Sequence, residues 1–259
     1  MTTVASWNVN SLKVRLPHLV DWLAANPVDV IGLQETKLTD ENFPQADIEA
    51  LGYHVLRSGQ KTYNGVALLS RQQIHDAKFD LDGFEDPQRR VAIGTSGGVR
   101  YVNLYVPNGQ AVGSEKYDYK LRWLEALQRT LLAELAAHRQ VIVMGDFNIA
   151  PDDRDVHDPQ AWAGQILCSD AERAALQRLL GLGLHDSFRL FEQQPASFSW
   201  WDYRQAGFRR NLGLRIDLIL ASDALRDACR AATVDTEPRR AERPSDHAPV
   251  LAQFDLPGL

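Results

Sequence analysis

Apolar residues along the chain gather into short runs of strand length, at 4–7, 28–33, 55–56, 66–69, 91–93, 102–106, 141–144, 216–221 and 250–254. Several are rich in β-branched residues and end at Gly, Pro, Asn or Asp, which predicts strands rather than short helices. Two segments have helical spacing instead. Leu16, Leu19, Val20 and Leu23 share one face, as do Leu121, Leu124, Leu127, Leu131 and Leu135 within 117–138. A third helix is predicted from the cap Ser169 through Leu180, stopped by Gly181 and Gly183. Strands with interspersed helices imply a layered α/β architecture. The order strand, polar cluster, helix, strand occurs near the amino terminus and is echoed after the midpoint, with the 145–148 cluster in the second copy. With no low-complexity linker between the halves, the expectation is one domain of two packed sheets spanning 1–259.

Four polar clusters interrupt this apolar frame at run ends: Ser6-Trp7-Asn8-Val9-Asn10, residues 32–37 (Gly-Leu-Gln-Glu-Thr-Lys), Gly145-Asp146-Phe147-Asn148 and Ser245-Asp246-His247. Any one alone reads as a turn, because Asn, Asp and Gly end strands everywhere. Together they place carboxylates, amides and an imidazole at the tips of buried strands, the donor set of a Mg²⁺-dependent phosphodiester-cleaving site. Glu35 follows the 28–33 run, where its charge can face a cleft and hold the ion. Asn8 ends the neighbouring run, and its neutral carbonyl could ligate without adding charge repulsion. Asp146 and Asn148 are two apart and so share one side of an extended segment. An Asp there can orient or deprotonate a water, and an amide can stabilise charge growing on phosphate oxygens.

Asp217 is the sharpest anomaly, a carboxylate inside Leu214-Arg215-Ile216-Asp217-Leu218-Ile219-Leu220. A buried carboxylate must be neutralised or paired. His247 is the expected partner, which would fix the imidazole tautomer and aim its other nitrogen at substrate; a salt bridge to Arg215 or another Arg is the competing reading. The other histidines, His18, His54, His75, His138, His157 and His185, read as structural.

At 259 residues, with 44% hydrophobic and 24% charged residues, the chain is of ordinary globular make-up. No apolar stretch approaches the roughly 20 residues that span a bilayer, and Met1 leads straight into a strand without a basic or cleavable leader. These features predict a cytoplasmic protein without membrane contact. Cys168 and Cys229 are too few for a disulfide scaffold and read as reduced, structural thiols. The net charge of −6 opposes nonspecific coating of nucleic acid but not an enzyme acting on it. Basic residues available for one face include Arg57, Lys61, Arg71, Arg89, Arg90, Lys116, Lys120, Arg204, Arg209, Arg210 and Arg215.

The four clusters together with Gly59-Gln60-Lys61, Asn64-Gly65-Val66-Ala67, Tyr105-Val106-Pro107-Asn108-Gly109, residues 199–204 (Ser-Trp-Trp-Asp-Tyr-Arg), residues 213–217 and residues 245–250 resemble the exonuclease III family of apurinic/apyrimidinic endonucleases, within the endonuclease/exonuclease/phosphatase superfamily. The resemblance runs through nearly the whole chain. It implies a four-layered α/β sandwich, two mixed β-sheets face to face flanked by helices. It also implies a Mg²⁺-dependent hydrolase, with Mn²⁺ as substitute, that cuts the phosphodiester 5′ to an abasic site, digests 3′→5′ and cleans damaged 3′ ends of double-stranded DNA in base excision repair. Asn8, Glu35, Asp146, Asn148, Asp246 and His247 correspond to the family's metal and phosphate site, and Tyr105 to its catalytic tyrosine. Asp217 and His247 correspond to its Asp–His pair. Both Asp146 and His247 have a claim as general base; Asp146 is taken as the acid/base group, Asn148 as transition-state stabiliser and Tyr105 as support for the leaving oxygen.

DNA contacts are expected from Lys61, Asn64 and Arg90. Trp200, Leu214 and Ile216 are expected to form an apolar pocket for a base-free sugar, with one of Trp200 and Trp201 packing the core. The segment 151–168, with Arg154, His157 and Trp162, is the expected variable loop. A monomer is expected. Two other readings compete. An inositol- or sphingolipid-directed phosphodiesterase would share the Glu, Asp-x-Asn and Ser-Asp-His clusters, but Tyr105 stands where those relatives resemble one another in having histidine. A DNA-binding or scaffold protein that lost catalysis would be expected to lose a carboxylate or the histidine, and this chain keeps them.

Overall fold

The computed structural model describes residues 1–256. Every predicted apolar run coincides with a strand, and the strands form two six-stranded sheets. The first has the spatial order β13 (Cys229–Val234), β14 (Val250–Phe254), β1 (Thr2–Asn8), β2 (Val30–Gln34), β4 (Val66–Ser70), β3 (His54–Ser58). The second runs β5 (His75–Lys78), β6 (Val91–Ser96), β7 (Val99–Tyr105), β8 (Val141–Asp146), β12 (Asp217–Ser222), β9 (Leu184–Asp186). A two-stranded ribbon, β10 (Trp200–Trp201) with β11 (Gly213–Leu214), stands beside them.

Both sheets follow one plan. A single parallel pair lies at the centre, β1 with β2 and β7 with β8, and the remaining pairings are antiparallel. A parallel pair needs a crossover of a dozen or more residues. Helix α1 (Leu12–Ala25) supplies the first and α3 (Glu115–Ala137) the second. The internal echo is therefore real in the order of elements but shifted from the expected register. The second copy begins at β7, so the 105–109 segment answers to 6–10, and the 145–148 cluster answers to 32–37.

The sheets pack face to face through Val4, Val30 and Leu68 on one side and Tyr101, Ile142, Met144 and Ile219 on the other. On the outer face of the first sheet, Ala5, Ile31, Leu33 and Leu69 pack against Leu19, Trp22 and Leu23 of α1. Val102, Leu104, Val143 and Leu218 on the outer face of the second pack against Trp123, Leu124, Leu127 and Leu131 of α3 and Leu176 and Leu179 of α5 (Asp170–Leu180). Four layers result, helix, sheet, sheet, helix. Central strands buried on both faces read as continuous apolar runs, which is why they were legible.

The helices follow their predicted stripes with local shifts. In α1, Trp22 is buried where Val20 was expected, and Leu16 is only partly buried. In α3, Leu121 and Leu135 sit at the margin while Lys120, Trp123 and Glu134 join the buried face. Helix α5 starts at Ser169, whose hydroxyl accepts from the Glu172 amide while Glu172 reaches back to the Ser169 amide. Three short helices, α2 (Gln45–Glu49), α4 (Pro159–Trp162) and α6 (Asp223–Arg226), lie in connections. No helix among the described residues is long and apolar enough to cross a membrane.

The arrangement puts functional groups at one edge. Asn8 pairs with Gln34 at the ends of β1 and β2, and Tyr105 pairs with Asp146 at the ends of β7 and β8. Antiparallel β12 begins there too, with Asp217 opposite Asp146. The start of β14 lies beside the end of β1, since Val250 pairs with Ser6.

Candidate active site

Four strand tips and the segment before β14 bring all four clusters and Asp217 together. The Asn8 amide, fully buried, donates from Nδ2 to Glu35 Oε1 at 2.9 Å and to Asp146 Oδ2 at 2.9 Å, so one neutral group bridges a carboxylate from each sheet. Asp146 Oδ1 accepts from the Asn148 backbone amide at 2.9 Å. His247 faces Asp146 from the other side, Nε2 to Oδ2 3.7 Å, and its Nδ1 lies 2.9 Å from Asp217 Oδ2. Ser199 completes the pair by donating to Asp217 Oδ2 at 2.6 Å. The expected Asp217–His247 contact is thus present. Arg215, the competing partner, is committed to Asp155 and Asp186 instead.

The backbone here is held in uncommon conformations. Asn10, Glu35, Lys37 and Asn148 all have positive φ, 43°, 51°, 56° and 48°. Non-glycine residues adopt such angles at a cost of about 1–3 kcal/mol each, and they cluster where surrounding structure over-determines a functional geometry.

The two carboxylates are tuned in opposite directions. Burial opposes ionisation of Glu35, but Lys37 at 2.9 Å, the Asn8 amide and the charge of His247 outweigh it and hold the carboxyl below its ordinary range. Burial of Asp146 dominates; the nearby Asp217 and Glu35 add to it, against His247 and Asn8, and its carboxyl is pushed upward. For His247, burial disfavours the charged form, yet Asp217, Asp146 and Asp246 together raise its affinity for a proton. Two carboxylates joined to one amide, one held charged and one pushed toward neutrality, are a pattern of divided acid and base roles.

Tyr105 ends β7 beside this group. Burial, then the charge of Glu35, raises its hydroxyl well above the ordinary value, so it is an O–H donor at neutral pH. Arg90 lies over its ring at 4.7 Å and donates to its carbonyl at 3.2 Å. Both remaining guanidinium contacts go to Gln88 Oε1, at 2.9 and 2.7 Å. Arg90, expected as a DNA contact, is therefore a buried brace for the tyrosine. Asn64 is also nearly buried, donating to Gln60 and Gln88, while Lys61 is exposed. These residues line or flank a cleft of about 650 Å³ that includes Tyr63, Tyr105, Asn108, Lys116 and Tyr119.

The expected metal set contracts in this structure. Among the described His, Cys, Asp and Glu residues, Glu35, Asp146 and His247 bring donor atoms within 4.8 Å of one another. Asn8 turns its amide nitrogen, not its carbonyl, to the carboxylates, since Oδ1 accepts from the Asn10 amide at 3.0 Å. Asn148 Oδ1 accepts from Asn108 at 3.2 Å. The Asp246 oxygens are taken by Asn10 and by the Trp200 indole, both at 3.0 Å. The Asp217 contact commits one nitrogen of His247. The carboxylate oxygens of Glu35, half-buried, and Asp146, buried, suit a hard divalent cation, which would relieve the opposition of their charges.

Trp200 packs on a cluster containing Leu214 and Ile216, which share a face as expected but are almost fully covered. Trp201 is the core member of the pair. In 151–168, Trp162 joins the Leu214 cluster and His157 meets it edge-on, while Arg154 pairs with Asp152. Several basic residues expected on a DNA face are otherwise occupied: Lys120 is buried against Glu172, Arg71 stacks on Tyr53 and Arg204 pairs with Asp202. Ser199, Ser245, Lys37 and Asn10 were not singled out as individuals, although all four lie inside quoted motifs. Ser245 ties the histidine loop to β1 by donating to the Asn8 carbonyl at 2.6 Å.

A model of the endonuclease/exonuclease/phosphatase family matches residues 5–247. The chain belongs to this family. Within it, it stands with the exonuclease III-type enzymes. It is 40% identical over 263 residues to exodeoxyribonuclease III of Haemophilus influenzae, covering 96% of this chain and 98% of that one. A 3′ phosphatase from Neisseria, solved bound to a product DNA hairpin, matches with a TM-score of 0.97 at 48% identity over 99% of this chain and 100% of that one. An AP endonuclease from Archaeoglobus fulgidus matches at 0.94 and 38% identity, again over 99% and 100%.

Proposed function

We propose that this family member is a Mg²⁺-dependent DNA repair nuclease, with Mn²⁺ as a substitute ion. It acts on double-stranded DNA, incising 5′ to abasic sites and processing 3′ ends as exonuclease and phosphodiesterase. The observation that carries the reading is the junction of Glu35, Asp146 and the Asp217–His247 pair through Asn8, in a chain similar end to end to enzymes named for these activities.

In this reading Glu35, with Asp146 beside it, anchors the ion; when bound, the ion neutralises charge on the phosphate. Asp146, its carboxyl pushed toward neutrality, is suited to take a proton from the attacking water. His247, kept protonated by Asp217 and Asp146, donates to a phosphate oxygen. The Asn148 amide adds a hydrogen bond in the transition state, and Tyr105 donates toward the leaving oxygen. Phosphoryl transfer rests mainly on such positioning and charge stabilisation.

Lys61 and Asn64 flank the strand's path, and Arg90 acts through Tyr105. Trp200, Leu214 and Ile216 form the pocket for a base-free sugar, which opens by displacement of one indole, because Trp200 covers the other two. All of these groups come from one chain, which supports a monomer; the shared core of the two sheets supports one domain over 1–259. Two buried, unpaired cysteines suit the cytoplasm.

The test is turnover on a duplex with one abasic site, a recessed 3′ phosphate and an undamaged 3′ end, each with Mg²⁺, with Mn²⁺ and with chelator. Metal-dependent cleavage of these and none of inositol phosphates is expected. Hydrolysis of inositol phosphates in preference to DNA would replace the reading with the lipid-headgroup one.

A further inference from the structure

Lys120 is a fully buried ammonium on α3, outside every group assigned so far. Its three donors have three acceptors: the Asn108 carbonyl at 3.1 Å, the Asn148 carbonyl at 2.6 Å and a Glu172 carboxylate oxygen. These acceptors belong to three different segments. Asn108 follows β7, Asn148 follows β8, and Glu172 lies in the first turn of α5, where it also accepts from the amides of Leu167 and Ser169 at 3.1 Å each. An ammonium offers three donors and no acceptor, so the site is saturated and geometrically closed.

What the ammonium holds bears on the chemistry. Asn108 donates to Asn148 Oδ1 at 3.2 Å, and Asn148 in turn directs Nδ2 to Asp146 Oδ2 at 3.3 Å. Asn148 keeps a positive φ, and its carbonyl in that conformation is turned onto Lys120. The turn after Asn108 is shaped to the lysine as well. Gly109 has φ +88°, and a Cβ there would come within 3.0 Å of Lys120 Cδ.

We infer that Lys120 is a positioning residue for phosphodiester hydrolysis: it pins the loops after β7 and β8 to each other, and so sets the Asn148 amide against Asp146. The inference rests on the hydrolytic reading of the site. A misplacement of about 1 Å at a reacting centre costs about a hundredfold in rate, which is the scale expected on its loss.

Lys120→Met alone leaves Glu172 charged and buried without its partner, and destabilises the protein for that reason. The decisive variant is therefore the double change Lys120→Met with Glu172→Gln, which removes both charges and keeps the volume. The measurements are melting temperature, DNA dissociation constant and kcat on a duplex the parent cleaves. The double variant loses one of the two Glu172 acceptor oxygens, which serve the Leu167 and Ser169 amides separately. It is expected to melt below the parent but above Lys120→Met alone, and to stay folded and bind DNA with comparable affinity, yet to turn over about a hundredfold more slowly. Gly109→Ala, which crowds the lysine stem but leaves both charges, is expected to lower kcat in the same direction. Parental kcat in either folded variant would overturn the inference, as would equal losses in binding and kcat. An inactive parent would instead refute the hydrolytic reading, so the two failures are distinct.

Discussion

The two sheets of this protein are copies in plan, but the carboxylates at their tips are not copies in state. Glu35, just beyond the end of β2, sits beside Lys37 and keeps its charge at low cost. Asp146, at the end of β8, has no cation so close; its nearest positive neighbour is His247 at 3.7 Å, itself shared with Asp217. The single Asn8 amide holds both, so proximity to the site does not explain the contrast. The local surroundings do. A charged carboxylate is suited to hold a cation, and one pushed toward neutrality is suited to exchange a proton.

The contrast breaks first at the Asp146 side. Asp146→Asn and His247→Ala are each expected to lower kcat by about 10²–10⁴-fold, the range of a lost acid or base, with little change in DNA affinity. Quench-flow rates beside equilibrium binding check this. Equal losses in both would make the residues binding groups.

A smaller effect is expected beyond the tips. Trp200→Ala should weaken abasic-site incision more than cleavage at an ordinary 3′ end, by about 1–3 kcal/mol, the worth of one aromatic stacking contact. Paired rates on the two substrates test it, and equal losses would make Trp200 a packing residue with a hydrogen bond to Asp246.

The opposite tuning also predicts opposite pH behaviour of stability in chelator. Asp146, with its carboxyl pushed up, binds more protons in the native state than in the unfolded one above the ordinary carboxylate range. Its contribution therefore falls as pH rises toward neutrality. Glu35, pushed down, contributes stability that is present above the unfolded value and lost as pH falls. Melting curves should show Asp146→Asn gaining on the parent as pH rises from about 5 to 7, and Glu35→Gln falling behind it in the lower window, as pH rises from about 3 to 5. Parallel shifts of the two variants would remove the contrast.

The smallest effect concerns the surface. Lys61→Ala should reduce the slope of log binding constant against log salt by about one, as for one lost phosphate contact. Arg90→Gln should leave that slope nearly unchanged and lower turnover through Tyr105, because its guanidinium is already bound to Gln88 and stacked on the ring.

The central strands were legible because they are buried on both faces and read as unbroken apolar runs. Of the strands that escaped, β5, β9 and β13 lie at sheet edges, and β10 and β11 are the two-residue strands of the separate ribbon. His75-Asp76-Ala77-Lys78 has little apolar character, and β13 carries Arg230 and an irregular register. Within the site, Glu35, Asp146, Asp217 and His247 stood out as polar residues in apolar surroundings. Their braces did not, because a partner such as Ser199 for Asp217 is set by tertiary contact 18 residues away. Lys120 carried a signal that composition hid. It lies four residues before Leu124 and seven before Leu127, on the apolar stripe of α3, where a lysine implies a buried partner rather than a DNA phosphate. Arg90 shows the same limit, since nothing in the sequence marks Gln88 as its anchor.

The most direct test of the divided roles is a Mg²⁺ titration of turnover on one DNA duplex for the parent, Glu35→Gln and Asp146→Asn. Glu35→Gln is predicted to need at least about tenfold more Mg²⁺, the lower end of what loss of even an outer partner costs a metal site, and to recover most of its turnover at saturation. Asp146→Asn is predicted to remain at least about a hundredfold slow however much Mg²⁺ is added. Recovery of Asp146→Asn by metal, with Glu35→Gln left slow at saturation, would contradict the account.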